Sequence, residues 1–210
     1  MSEPSLQHFG TVPFQHGALL PLLKDYRRPN DKIAEWLRRG VLVPVKRGLY
    51  VRGESGQAPC LPLVANHLYG PSCVSLDYAL AWHGLIPERV HEITSVCTGR
   101  GRVIANALGR FSYARLPAQL YPCGITQASA SARETFLIAS PAKALCDKVL
   151  LTPRLRASSR AAMQRFLFED LRIDPGALHG LDLDIVRAYA NSGSKTAPLR
   201  ALLHCLEALP

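Results

Sequence analysis

Between Asn30 and Val51 the spacing of apolar residues changes from helical to alternating. Ile33, Trp36 and Leu37 fall at i, i+3 and i+4, so they share one face of a helix. Lys32, Glu35 and Arg39 lie on the opposite side and are expected to stay in water. Asn30 or Asp31 is the expected N-cap, since a short side-chain oxygen accepts an orphaned backbone N–H. Gly40 is expected to end the helix, where a left-handed residue is needed. Val41-Leu42-Val43 and Leu49-Tyr50-Val51 are β-prone runs on either side of Lys46-Arg47-Gly48. A helix running straight into a hairpin with a basic tip is the layout of a winged helix-turn-helix. An ordinary amphipathic helix packed on a solvated hairpin fits the same pattern.

The rest of the chain is less regular. Thr11 to Phe14 reads as a loose tail or a short docking strand, and His16 to Asp25 as a first helix with Pro21 near its start. Arg52 to Pro62, rich in Gly, Ser and Pro, reads as a linker that divides the chain into residues 1–54 and 60–210. Helices are predicted at Leu63–Tyr69 and at Leu76–His83, the second capped by Ser75. Strands at His91–Thr98, Gly109–Tyr113, Leu120–Ile125 and Thr135–Ile138 predict an antiparallel sheet. Helices follow at Ala142–Leu151 behind Ser140-Pro141, then at Arg156–Leu171, Leu183–Ala190 and Pro198–Leu209. The expected fold class is α+β: an N-terminal winged helix-turn-helix, then a larger domain of antiparallel sheet packed with helices.

Charge sharpens this picture. The formal net charge is +9, and residues 1–52 hold 9 basic against 4 acidic side chains, a surplus that favours a polyphosphate partner. Lys32, Glu35 and Arg39 would face a DNA groove. Arg27 and Arg28 would hold phosphate at the helix start, and Lys46 and Arg47 would do so from the hairpin tip. Arg100, Arg102, Arg110 and Arg115 form either a second basic surface or a charged sheet edge that resists aggregation. The six cysteines show no C-x-x-C spacing, so neither a zinc site nor a cofactor is expected, and a reduced cytoplasmic protein is. The first residues lack a signal-peptide layout, and no apolar run suits a membrane helix. No phosphate loop, H-E-x-x-H or G-x-S-x-G motif is present, the carboxylates are scattered, and His83 is expected to bond a carbonyl, so catalysis is not expected.

Five stretches in order resemble the AbiEi family, the antitoxin and transcriptional-regulator components of type IV abortive-infection toxin–antitoxin systems. They are Lys46–Val51, Ala65–Glu88, Ile93–Arg102, Gly109–Tyr113 and Ala139–Val149. The chain departs from the family pattern at Cys73, where an aromatic is usual, and at Ala142, within the usual Pro-Glu-Lys. The resemblance implies a repressor that binds an inverted repeat in its own double-stranded promoter DNA. It also implies that residues 60–210 counter a nucleotidyltransferase-like toxin from the same operon. The alternative is a protein–protein module that neutralises a partner without sequence-specific DNA binding.

Overall fold

A computed structural model describes residues 4–53 and 58–209, and it is a mixed α+β fold. The first part holds strand β1 (Phe14–Gln15), helix α1 (Pro29–Arg38) and a hairpin of β2 (Leu42–Lys46) and β3 (Leu49–Arg52). These strands form an antiparallel sheet in the order β1-β3-β2. Helix α1 buries Ile33 and Trp36, as the spacing predicts. It starts two or three residues earlier than expected, at Pro29, with Arg28 in the cap position in place of Asn30 or Asp31 and no side-chain cap. Proline has no N–H to satisfy, so a capping oxygen is less needed there. At the other end Gly40 takes φ +73°, while Val41 N–H bonds Trp36 O at 2.9 Å and Gly40 N–H bonds Leu37 O at 3.2 Å. That pair of bonds closes the helix on its last carbonyls.

Residues 16–25 do not form the predicted helix. They make two short 3₁₀ turns, His16–Ala18 and Leu20–Leu23. Gly17 and Pro21 remove stiffness and a backbone donor from the stretch. Leu19 and Leu23 are fully buried all the same.

The larger part holds α2 (Leu61–Leu68), β4 (Ser72–Val74), α3 (Leu76–Trp82), β5 (Ile93–Cys97), β6 (Arg102–Asn106), β7 (Gly109–Arg115), β8 (Ile125–Ser131) and β9 (Glu134–Ala139). Four helices follow: α4 (Pro141–Leu151), α5 (Arg160–Arg165), α6 (Leu183–Ala190) and α7 (Thr196–Glu207). The six-stranded sheet runs β6-β7-β5-β4-β9-β8 and is mixed, not antiparallel throughout. β5 pairs with β7 in parallel, and so does β4 with β9. The chain leaves β5, forms β6 on the outer edge and returns as β7 between them. This inserted edge strand forces the parallel pairing. Leu120 to Gly124 is a turn, not the start of a strand. The predicted helix Arg156–Leu171 shortens to α5, followed by one wide turn over Phe166–Asp170.

Ser75 sits at the start of α3 but its hydroxyl does not cap it. The Thr94 hydroxyl of β5 accepts the Tyr78 N–H at 3.0 Å instead, which leaves Ser75 free for another partner. Ser140 does cap α4, accepting the Lys143 N–H at 3.3 Å. His83 bonds the Ala139 carbonyl at 2.8 Å. The six cysteines are unpaired and five are buried. Burial pushes the Cys73 thiol up to about 12 and that of Cys146 well above the ordinary range.

Two hydrophobic clusters meet at the hairpin. Leu42 and Tyr50 join the small cluster under α1, with Leu6, Phe14, Leu19, Leu23, Ile33 and Trp36. Leu49, Val51 and Val45 join the large cluster. Along β3 the alternation follows from the pleat. On β2 the register shifts between Pro44 and Lys46, and such a bulge re-aims Val45 toward the large core.

Candidate nucleic-acid interface

Helix α1 and the hairpin tip enclose an open groove of about 440 Å³. Asn30, Ala34 and Leu37 line it from the helix, Arg47 and Gly48 from the tip, and His16 from the turn before α1. Gly48 takes φ +77°, which tightens the tip. Helical spacing from these lining residues places Arg38 on the outer face next to Ala34. Arg38 is exposed and has no ion-pair partner among the described residues. The sequence pattern singles out neither Asn30 as a groove-lining residue nor Arg38 beside it. The signal was there, since the side of a helix that looks along a following hairpin is fixed by its buried stripe.

The expected site residues separate into three groups. Arg27, Arg28 and Arg47 are exposed, Arg28 forming only a wet pair with Asp31 at 3.6 Å. Lys32, Glu35 and Arg39 form a row on the flank of α1. Lys32 is not in open water: its side chain is 13% exposed and its ammonium lies 5.7 Å from the centre of the Trp36 ring. Glu35 receives Lys32 at 2.9 Å and Arg39 at 3.0 Å. Lys32 first and Arg39 second hold its carboxyl below the usual carboxylate range. Arg39 lines a separate hollow with Trp36, Val41 and Arg52, away from the tip. Lys46 stands alone. Its ammonium donates to His67 O at 3.0 Å and Leu68 O at 2.8 Å, the last carbonyls of α2, so it caps that helix.

A second polar cluster lies deep inside the larger part. Lys143 and Asp147, one turn apart on α4, are both 0% exposed and 3.4 Å apart. Asp147 Oδ2 accepts the Ser75 hydroxyl at 2.6 Å, and Oδ1 accepts the Tyr189 hydroxyl at 2.5 Å. Lys143 donates to Tyr189 at 2.8 Å and to Leu120 O at 3.2 Å. Burial raises the Asp147 carboxyl above its ordinary value, with Lys143 and the two hydroxyls pulling it back. Ser75, Lys143, Asp147 and Tyr189 are all fully buried, and their bonds tie α3, α4 and α6 together.

No protein-family model matches the chain, and no curated protein matches it. A crystal structure of the RV2827C protein from Mycobacterium tuberculosis is similar over 92% of this chain and 76% of that chain, at 17% identity and a TM-score of 0.49. No argument rests on a likeness of that size.

Among the described residues no group of three His, Cys, Asp or Glu side chains could hold a metal ion, and no helix is long and apolar enough to cross a membrane.

Proposed function

We propose that residues 1–54 are a winged helix-turn-helix that binds duplex promoter DNA. Residues 60–210 are then the antitoxin part of a cytoplasmic AbiEi-like regulator, acting against a nucleotidyltransferase-like toxin from the same operon. The observation that carries this is the groove between α1 and the hairpin tip, with Asn30 on one wall and Arg47 on the other. The sheet order β1-β3-β2, with α1 leading directly into the hairpin, supports it further. In this arrangement Arg27, Arg28 and Arg47 take phosphates, while Asn30, Ala34 and Arg38 reach base edges. Lys32 and Arg39 are held on Glu35 along the flank of α1, and Lys46 holds α2, so these four add little.

The three phosphate contacts of this site contribute about −2.7 to the slope of log K against log salt. Titrations on the DNA upstream of the gene should show Arg47→Ala weakening operator and random duplex alike, with the slope shallower by about 0.9. Arg38→Ala with Asn30→Ala should cost about 1–3 kcal/mol on the operator and almost nothing on random duplex. Binding that survives unchanged in both variants would sink the assignment.

A second reading, a module that blocks a protein partner, draws on Trp82. Its ring is packed edge-on against Phe136 yet 42% exposed. Co-purification with the neighbouring gene product, and no shift on promoter DNA, would select it.

A further inference from the structure

Residues 93–133 contain five arginines, no lysine and no carboxylate. They supply β5, β6 and β7 at one end of the large sheet and β8 at the other, and the β5–β7 end carries four of the five arginines with no carboxylate of its own. Arg110 is tied to Glu92 at 3.1 Å. Arg100, Arg102 and Arg115 are exposed and have no ion-pair partner among the described residues. These three surround one turn. A methyl group on Gly101 would sit 3.1 Å from Tyr113 O and 3.7 Å from Arg115 N, so the turn lies against the end of β7.

The turn is also held in place. The Tyr69 hydroxyl donates to Arg100 O at 3.1 Å, and the Arg102 guanidinium lies 4.6 Å from the centre of the Tyr69 ring. Tyr69 itself packs edge-on against Tyr113, with ring centres 5.2 Å apart. A guanidinium resting on an aromatic face loses little freedom when it meets an anion, because its plane is already set. Charged edge strands resist aggregation, which accounts for Arg102 on β6 but not for Arg100 in the turn or Arg115 on the inner strand.

Two hydrogen bonds tie the surroundings of this turn to the hairpin, one beside Tyr69 and one at the opposite end of β6. Lys46 holds the carbonyl of Leu68, the residue before Tyr69, and Asn106 at the far end of β6 donates to Val45 O at 2.9 Å. Arg102 lies four residues along β6 from Asn106, roughly 13 Å at the rise of a strand. That is about four base pairs of duplex.

We infer that Arg100, Arg102 and Arg115 form a second phosphate-binding surface for the same duplex, gripping its backbone about four base pairs beyond the hairpin tip. This rests on the DNA-binding reading above. A duplex repeats its phosphates at a spacing that lets one rod meet both surfaces.

The test is a salt titration of the full chain on a long duplex of random sequence, followed by fluorescence anisotropy. With all six arginines engaged, the wild-type slope should be about −5.4, against about −2.7 for Arg100→Ala with Arg102→Ala and Arg115→Ala. Hydroxyl-radical protection on the hairpin side should shrink by about four base pairs. Arg133→Ala removes one positive charge at the opposite sheet edge, in the β8–β9 turn, as Arg100→Ala does at the basic turn, and should leave the slope as it was. Arg100→Ala alone removes an exposed side chain from a turn and should flatten the slope by about 0.9, which keeps the test open if the triple variant unfolds. A folded triple variant with unchanged slope and protection overturns the second surface alone and leaves the basic turn to an acidic protein partner. Wild-type protein that ignores the duplex overturns this inference and the DNA-binding reading together.

Discussion

Replacing Asp147 with alanine should destabilise the protein by about 3–5 kcal/mol, the usual cost of breaking a buried pair from one side. The magnitude follows from what the change leaves behind. Lys143 is fully buried, and without the carboxylate its ammonium keeps only the Leu120 carbonyl and the Tyr189 hydroxyl. Ser75 and Tyr189 each lose an acceptor at the same time. A domain whose whole stability is about 5–15 kcal/mol loses roughly a fifth or more. Urea denaturation reads this as a lower midpoint with an unchanged slope. Lys143→Met combined with Asp147→Leu should recover much of the loss, because a buried pair replaced by apolar groups of similar volume is often neutral. A loss below about 1 kcal/mol for Asp147→Ala would mean that water reaches both charges, and the tie between α3, α4 and α6 would fall with it.

Trp36→Ala should cost a similar amount, about 3–5 kcal/mol, but in one place. Trp36 is 1% exposed and is the largest side chain of a cluster of eight buried residues. Without it Ile33 and Tyr50 face a hole that two 3₁₀ turns are poorly built to collapse into. The expected result is loss of DNA binding while the larger core stays folded. Amide hydrogen exchange should show α1 and β1 opening freely, with α4 and α7 still protected. Loss of protection in α4 by the same factor would show one cooperative unit and would count against treating residues 1–54 as a separate part.

Local patterns carried parts of this fold well. α1, the hairpin and the capped start of α4 follow from period, Gly40 and Ser140-Pro141, which act within a few residues. Leu183–Ala190 is helical at the bounds its pattern predicts. The failures have physical causes beyond such a window. β4 has only three residues, and β6, an exposed edge, lacks a buried face to set a period. The burial of Lys143 and Asp147 has no local signal, because nothing near them in the chain tells that both faces of α4 are covered. The interface was half legible for the same reason. The helix, the groove and Arg47 are local facts. The capture of Lys46 by α2 depends on residues more than twenty positions away, and Lys32 and Arg39 share Glu35 along the flank of α1 instead of standing as separate charges.

The hairpin presents Leu42 and Tyr50 to one cluster and Val45, Leu49 and Val51 to the other. It is a party wall, and neither house stands well without it. Cutting the chain after Gly53 would leave three greasy side chains bare on the front piece and a matching scar on the back one, so both would clump. Modular regulators swap their reading heads between unrelated bodies; a head that shares its masonry with the body is not free to move house.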